Sequence, residues 1–175
     1  MSLSLSVITS LAIAAAAFGP QVTEKTVTGV TNFKNLDTTI ACAGATTAQA
    51  VPELKKMGYA SIINLRQATE NGANIEEETA AAKTAGITFI HIPFNTQSPD
   101  PAVADQFLAA ITNKANQPAF VHCASGNRAA AMWMIKRLVV DHWDTDKAST
   151  EAAALGLTNQ GLKKFATDYA ETHHK

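Results

Sequence analysis

Short apolar runs alternate with segments of helical periodicity along most of this chain, and that alternation constrains its fold more than any other feature. Buried strands are predicted over residues 60–65, 87–92 and 119–121, and helices over residues 47–57, 75–85, 101–113 and 127–140. Strands that alternate with helices of about 10–15 residues form βαβ units, in which the strands run parallel. The pattern therefore predicts an α/β protein with three layers, in which helices cover both faces of a mostly parallel central sheet.

The remaining parts of the chain are less regular. Residues 21–31 are predicted to be a loose segment leading into the domain. Residues 32–42 are predicted to form one or two short strands around a turn at residues 34–37. Thr46 or Thr47 is expected to cap the first helix. Residues 147–173 are predicted to form one or two terminal helices.

Length, charge and composition exclude several classes of protein. With 175 residues, 46% of them apolar, the chain can bury one substantial core, so residues 32–175 are predicted to form a single domain. The formal net charge of −1 and the lack of a Lys/Arg cluster argue against a nucleic acid as the main partner. The five histidines are scattered, and no spacing typical of metal ligands occurs. No metal and no organic cofactor are expected.

The first 20 residues resemble a secretory signal peptide. Residues 1–23 contain no charged side chain, and residues 14–17 offer the small side chains that signal peptidase accepts. The apolar run is short and Ala-rich for a transmembrane anchor, which needs about 20 residues. The basic segment that usually begins such a leader is missing. We expect a periplasmic or secreted protein that makes no membrane contact once residues 1–20 are removed; a cytoplasmic location is the alternative.

One segment in the second half of the chain contains the residue types of a reactive site. After the apolar strand, a short loop opens the helix at residue 127; we call residues 123–128 the Cys–Arg loop, and its members are Cys123, Ala124, Ser125, Gly126, Asn127 and Arg128. Free N–H groups and the positive end of a helix dipole favour negative charge at such a junction, which lowers the pKa of a thiol. Gly126 lets the backbone approach an anion closely, and Arg128 offers paired N–H donors to phosphate or sulfate. The loop predicts a thiolate that attacks the central atom of a bound oxyanion.

Three motifs of the chain resemble one family. They are Ile62-Ile63-Asn64-Leu65-Arg66 followed by Glu70, then Ile90-His91-Ile92-Pro93, then His122-Cys123-Ala124-Ser125-Gly126-Asn127-Arg128-Ala129-Ala130. Together they resemble the phosphatase-like domain of the beta-lactamase-hydrolase-like proteins, which is similar to dual-specificity and tyrosine phosphatases. The resemblance implies a phosphorylated substrate, attack by Cys123, a clamp formed by Arg128, and binding by the backbone N–H groups of residues 124–127.

The Cys–Arg loop departs from the usual phosphatase pattern, and two other functions stay open. Four residues separate Cys123 from Arg128 where most of the superfamily has five, and Ala129 replaces a Ser or Thr. Four is the spacing of rhodanese-type sulfurtransferases, in which the cysteine carries a persulfide, but the other rhodanese motifs are absent. The second alternative is a domain that binds anions without turnover.

A phosphatase of this kind needs an acid to protonate the leaving oxygen, and the loop at residues 95–100 is where we expect it. Asp100 is the candidate, with Asp105 one turn into the following helix as a weaker second choice. An Asp directly before Pro101 is also an ordinary N-cap, so a purely structural role is the alternative for Asp100.

Two further polar side chains lie at predicted strand ends. Arg66 ends a strand at the edge where parallel sheets bind ligands, so it is expected either to contact the anionic substrate or to pair with Glu70 on the surface, and the family resemblance favours the substrate. His122 is expected to organise the loop rather than to act as a base, and a histidine buried in the core is the alternative.

Cys42 is the second of the two cysteines in the chain. The family resemblance places the turn at residues 43–46 near the active site, so a reversible disulfide between Cys42 and Cys123 is one interpretation. The favoured interpretation is a small buried residue at the end of a strand, which is common for a free cysteine.

Overall fold

The computed structural model describes residues 22–173. The strands of this part of the chain are β1 (Val22–Lys25), β2 (Phe33–Leu36), β3 (Ile40–Ala43), β4 (Ser61–Asn64), β5 (Thr88–His91) and β6 (Ala119–His122). The helices are α1 (Val51–Lys56), α2 (Ile75–Ala85), α3 (Pro101–Thr112), α4 (Asn127–Val139), α5 (Thr145–Ala154) and α6 (Gln160–His173). The predicted signal peptide lies outside the described residues. Within those residues, no helix combines the length and the apolar character needed to cross a membrane.

The six described strands pair in one sheet in the order β1-β2-β3-β6-β4-β5. β3, β6, β4 and β5 run parallel, whereas β1 and β2 extend the sheet antiparallel beside β3. The predicted α/β fold with a mostly parallel sheet is confirmed. Ala43 and Asn64 both pair with His122, so the parallel strands end together at one edge. Ligands of open parallel sheets bind at this edge.

Helices cover both faces of the sheet, so the core consists of two apolar layers. On one face, α1 and α2 pack against Phe33, Ile62 and Phe120. On the other face, the larger layer is formed by α3, α4, α5 and α6. α4 is central in this layer, and its residues from Arg128 to Ile135 are all buried. Because α4 is packed on every side, the loop that precedes it has a fixed position.

Three local predictions are wrong. Residues 22–25, expected to be loose, form β1, because this Thr- and Val-containing segment pairs with the exposed edge of β2. The turn between β2 and β3 lies at residues 37–39 rather than 34–37; Asp37 takes φ +47°, which Asp tolerates better than most residues. The first α-helix begins only at Val51, after a 3-10 turn, and Thr47 makes no side-chain capping bond.

Candidate active site

The Cys–Arg loop joins the end of β6 to the start of α4, at the carboxyl edge of the sheet. Cys123 is almost fully buried, and its Sγ accepts a hydrogen bond of 3.1 Å from the backbone N–H of Gly126. Gly126 is the N-cap residue of α4 and has φ +99°, a left-handed conformation that glycine adopts at little cost. The loop therefore folds back toward the sulfur.

Carbonyl groups of the loop are held by neighbouring segments, while several of its N–H groups are free. The Ala124 carbonyl accepts from the N–H of Ala45 at 3.0 Å, and the Ser125 carbonyl accepts from Asn32 Nδ2 at 3.1 Å. The backbone N–H groups of Ala124, Ser125 and Asn127 have no acceptor within residues 22–173. These donors, together with the positive end of the α4 dipole, are available to an anion.

The Asn127 side chain fastens the loop to the segment between α5 and α6. Its Oδ1 accepts hydrogen bonds from the backbone N–H groups of Thr158, at 2.7 Å, and Asn159, at 2.8 Å. The Asn159 side chain in turn accepts from the N–H of Leu162 in the first turn of α6. The position of α6 is therefore linked to that of the Cys–Arg loop.

One edge of the Arg128 guanidinium is saturated. Nη1 donates to Glu70 Oε1 at 2.5 Å and to the carbonyls of Leu65 and Phe94, and Nη2 donates to Glu70 Oε2 at 2.7 Å. A guanidinium carries five N–H donors, two of them on Nη2. Nε and the second Nη2 donor have no oxygen acceptor among the described residues, and the Cys123 sulfur lies close to the guanidinium. This free pair has the spacing to bind two oxygens of a phosphoryl group.

Glu70 is the carboxylate that holds Arg128. Burial of the carboxylate would raise its pKa, but hydrogen bonds from Arg128 and from the backbone of Gln67 outweigh this effect and lower the pKa of Glu70 to about 2. Glu70 is therefore ionised at any pH near neutrality. It orients Arg128 and has no proton to give.

Arg66 is buried and turned toward its own loop. Nε donates to Glu70 Oε2 at 3.3 Å, Nη1 to the Gly72 carbonyl at 2.7 Å and Nη2 to the Asn71 carbonyl at 2.6 Å. Of the two expectations for Arg66, the geometry favours the pair with Glu70. The pair is buried rather than on the surface, since only 5% of Arg66 is exposed.

His122 is completely buried, on the opposite side of the strand from Cys123. Its Nε2 lies 2.8 Å from Glu78 Oε1, although the contact is not aligned as a hydrogen bond. His122 follows Phe120 by two residues, and the two rings lie side by side, tilted by 33°, on the face covered by α1 and α2. The imidazole therefore does not line the cleft above Cys123.

The Cys–Arg loop forms one wall of a cleft of about 470 Å³. The lining residues are Gln67, Glu70, Phe94, Asn95, Thr96, Gln97, Ala124, Ser125, Asn127, Arg128, Asn159 and Leu162. Neutral amide and hydroxyl groups dominate this lining. Its only two charged side chains, Arg128 and Glu70, are paired with each other.

The two aspartates considered as acids do not line the cleft. Asp100 caps α3, where its carboxylate accepts from the N–H of Ala102 at 2.9 Å. Asp105 accepts from the hydroxyl of Tyr169 at 2.5 Å. The loop on which an acid was expected does reach the cleft, but through Asn95, Thr96 and Gln97.

Cys42 lies in the middle of β3 and is fully buried. Both cysteines are free thiols. Burial raises the pKa of Cys42 far above its usual range, and the nearby charge of Cys123 raises it further. Cys42 is thus a neutral, apolar residue of the core beneath the site. Among the described residues, no group of three His, Cys, Asp or Glu side chains is arranged to hold a metal ion.

A nearly buried thiol at a strand end, a ring of free loop amides and an arginine at the start of the next helix define the class of cysteine-dependent phosphatases. Residues 13–170 match the family described as "DSP-PTPase phosphatase fused to NAD+ Kinase", and the chain belongs to that family. The predicted class, a cysteine-dependent phosphatase of the dual-specificity and tyrosine-phosphatase type, is thereby confirmed. No curated protein matches the chain.

Solved structures with the same fold share little sequence with the chain. A DUF442 protein from Shewanella putrefaciens CN-32 is 20% identical, with a TM-score of 0.69 over 84% of this chain and 94% of its own. TpbA from P. aeruginosa is 18% identical, with a TM-score of 0.64 over 90% and 91%. The catalytic core of the PP-IP phosphatase Siw14 from S. cerevisiae is 18% identical, with a TM-score of 0.67 over 81% and 87%.

Sequence reasoning missed three contacts that shape the site. Glu70 belongs to one of the three motifs, but it is 58 residues away from Arg128 in sequence. No local sequence pattern therefore predicts the ion pair between them. The contact of Glu78 with His122 and the bond of Asn127 to Thr158 also join residues that are far apart in sequence. A carboxylate on the inner face of a predicted helix, such as Glu78, was the single available hint.

Proposed function

We propose that this protein hydrolyses phosphate monoesters through a cysteinyl-phosphate on Cys123. One observation carries the proposal: the sulfur lies under a loop whose free N–H groups, with the free edge of Arg128, form a ready-made site for a phosphoryl group. Ala124, Ser125, Gly126 and Asn127 supply the backbone of this phosphate loop. No metal or cofactor is needed for the steps below.

The reaction has two displacements at phosphorus. The Cys123 thiolate forms an S–P bond while the bond from phosphorus to the leaving oxygen breaks, and that oxygen departs with the electron pair. A water oxygen then attacks phosphorus and forms a new O–P bond while the S–P bond breaks, which releases phosphate, a proton and the thiolate. In both steps Nε and Nη2 of Arg128 bind two phosphoryl oxygens, while Glu70 keeps the guanidinium in plane.

The lining of the cleft favours substrates with good leaving groups. Its only carboxylate is Glu70, which is ionised and bound to Arg128, and Asp100 would have to leave its capping position to serve as the acid. An aryl oxygen leaves as a stable anion, whereas an alkyl oxygen needs protonation. We therefore expect aryl phosphates to be hydrolysed much faster than alkyl phosphates; equal rates would contradict this part of the proposal.

The charge of the cleft favours a substrate with one phosphate group. Arg128 is compensated by Glu70, and the other lining groups are uncharged. A polyphosphate would bring several negative charges with no cation to receive them. A phosphotyrosine side chain has the required single phosphate and aryl leaving group, and a TpbA variant crystallised in complex with pTyr supports this choice.

The proposal extends to the location and the narrower family of the protein. The apolar, uncharged residues 1–20 support export, and the three motifs quoted above support a place among the beta-lactamase-hydrolase-like phosphatases. Export is tested by fractionating cells that produce the full chain and determining the first residue of the exported form. A start near residue 21 is expected, and a full-length cytoplasmic protein would contradict export.

The first experiment is hydrolysis of p-nitrophenyl phosphate under reducing conditions. Wild type is compared with Cys123→Ser and with Cys42→Ser as the matched control. We expect phosphate release that disappears in Cys123→Ser and persists in Cys42→Ser. If the wild type releases no phosphate, transfer of sulfur from thiosulfate to cyanide would favour the sulfurtransferase, and phosphate binding alone would favour a non-catalytic domain.

A further inference from the structure

The buried carboxylate of Glu78 connects two parallel strands beneath the site. Its side chain extends from α2, and only 1% of the residue is exposed. Oε2 accepts a hydrogen bond of 2.7 Å from Asn64 Nδ2 at the end of β4, and Oε1 lies 2.8 Å from His122 Nε2 at the end of β6. Asn64 and His122 are both completely buried and are paired in register.

Each of these two partners is linked to one part of the proposed catalytic apparatus. His122 immediately precedes Cys123 in the chain. The Asn64 side-chain oxygen accepts from the backbone N–H of Arg66 at 2.8 Å, and the Arg66 side chain bonds to Glu70, which holds Arg128. Glu78 is therefore in contact with the supports of both the nucleophile and the arginine.

Glu78 is also the one polar contact of the His122 ring within residues 22–173. Nδ1 of His122 has no partner within the described residues, and Nε2 approaches only Glu78. Nε2 and Glu78 Oε1 are at ion-pair distance without hydrogen-bond alignment, so this close contact acts on the position of the imidazole. The neighbouring inward-facing residue of α2, Ala82, is apolar, as expected for this layer. A carboxyl group at position 78 therefore needs a reason beyond packing, because a polar group is costly to bury in an apolar layer.

We propose that Glu78 is a positioning residue: it fixes Asn64 and His122, and through the backbone at residues 122–123 it sets the thiolate of Cys123 for attack. The inference rests on the proposed phosphatase function. The imidazole and the thiol lie on opposite faces of the sheet, so the action of Glu78 is on the position of the loop. Arg128 and Cys42 are the charged or titratable neighbours of Cys123, and both stay unchanged in the comparison below.

The direction in which the titration midpoint of Cys123 shifts in a Glu78 variant separates a positioning role from a simple effect of charge. Neutralising a nearby carboxylate removes a negative charge, which by itself would ease ionisation of Cys123 and lower the midpoint of its titration. Loss of positioning weakens the bond from the Gly126 N–H to the sulfur, which makes the thiolate less stable and raises the midpoint. Glu78→Gln keeps the size of the side chain and discriminates between the two.

The experiment follows alkylation of Cys123 by iodoacetamide against pH in the full chain, with peptide mass spectrometry to separate Cys123 from Cys42. Glu78→Gln is compared with wild type and with Glu77→Gln, an exposed neighbour on the same helix. We expect the midpoint to rise in Glu78→Gln, with alkylation about tenfold slower below the wild-type midpoint, and to stay unchanged in Glu77→Gln. A midpoint that falls or does not move overturns the proposal.

A double-mutant comparison tests the route through His122. If Glu78 acts on Cys123 through His122, Glu78→Gln causes no further shift of the midpoint once His122→Asn is present; equal shifts in both backgrounds overturn that route.

Glu78→Asp keeps the charge but shortens the reach of the side chain, so an intermediate shift of the midpoint is expected, and this variant serves if Glu78→Gln does not fold. Alkylation of Cys123 needs no turnover, so the two proposals fail in different measurements. Failure of the phosphatase proposal is seen as no hydrolysis of p-nitrophenyl phosphate, whereas failure of the Glu78 proposal is seen in the alkylation midpoint.

Discussion

Arg128 is the residue whose environment most sharply restricts what can replace it. Its guanidinium contacts Glu70 through two nitrogens and leaves Nε and one Nη2 donor for the substrate. Only a planar group with donors on two edges can do both. The proposed site therefore depends on an arginine that is oriented before the substrate arrives.

Arg128→Lys should nearly abolish hydrolysis of p-nitrophenyl phosphate. Lysine is a point charge, so it cannot bind Glu70 and two phosphoryl oxygens together, and we expect kcat to fall by about 100-fold or more. Arg137→Lys, the same substitution later in α4, serves as the control because Arg137 pairs with Glu151 and Asp141 away from the cleft. If Arg128→Lys retained wild-type kcat and KM, the clamp would be wrong.

The low pKa of Glu70 predicts a specific dependence of stability on pH. The pKa falls from 4.5 in the unfolded chain to about 2 in the folded protein, so the carboxylate contributes stability above pH 4.5, and this contribution is lost as the pH falls toward 2. Urea unfolding of wild type and Glu70→Gln should therefore differ most at pH 6 and converge near pH 2. A difference that is constant between pH 6 and pH 2 would contradict the ion pair.

At the scale of secondary-structure elements, the Cys–Arg loop is supported by the turn that follows β3. Gly44 pairs with Ser125 in an isolated antiparallel bridge, and Ala45 bonds to the carbonyl of Ala124. A Cβ on Gly44 would clash with the Thr31 hydroxyl, and it would lie 3.1 Å from the Thr31 carbonyl and 3.2 Å from the Ala124 carbonyl. The Ala124 carbonyl cannot move without moving the loop itself.

Gly44→Ala is therefore expected to reduce activity more than stability. The new methyl group pushes on the Ala124 carbonyl and displaces the free N–H groups, so kcat should fall by about tenfold or more. Gly58→Ala is the control: Gly58 has φ +94° and open space around it, so alanine there costs about 1 kcal/mol of backbone strain without touching the loop. Unchanged kcat in Gly44→Ala would show that the turn does not support the site.

At the scale of the whole molecule, the two apolar layers share one sheet and should unfold together. Phe120 is fully buried in the layer covered by α1 and α2, whereas Trp133 and Trp143 belong to the layer around α4. The tryptophans thus report on one face of the sheet, and far-UV circular dichroism reports on all of it. This arrangement makes cooperativity between the faces measurable.

Phe120→Ala should destabilise the protein by about 3–5 kcal/mol, because it opens a cavity in the smaller layer. If residues 32–175 form a single domain, the urea transitions seen by tryptophan fluorescence and by circular dichroism shift by the same amount. Val140→Ala, at an exposed apolar position, should leave both unchanged. A fluorescence transition that stays in place in Phe120→Ala would indicate two independent units.

The sequence alone was enough for the order of elements from residue 60 to residue 140 and for the location of the reactive loop. Helix α2 was predicted residue for residue, and α4 to within one residue, because helical periodicity and the glycine or loop residues at their ends are local signals. The sequence from His122 to Arg128 likewise lies within one strand–loop–helix unit, so its chemistry could be interpreted before the fold was known.

Only the tertiary structure decided which distant groups meet. β1 became a strand through pairing with β2, Asp100 lies outside the cleft because it caps α3, and Glu70 and Glu78 reach Arg128 and His122 from other elements. Such contacts depend on chain segments far apart in sequence, whose proximity follows from packing on the sheet and leaves no periodic trace. Local patterns therefore specify the elements and the nucleophile, and packing specifies how the nucleophile and the arginine are held.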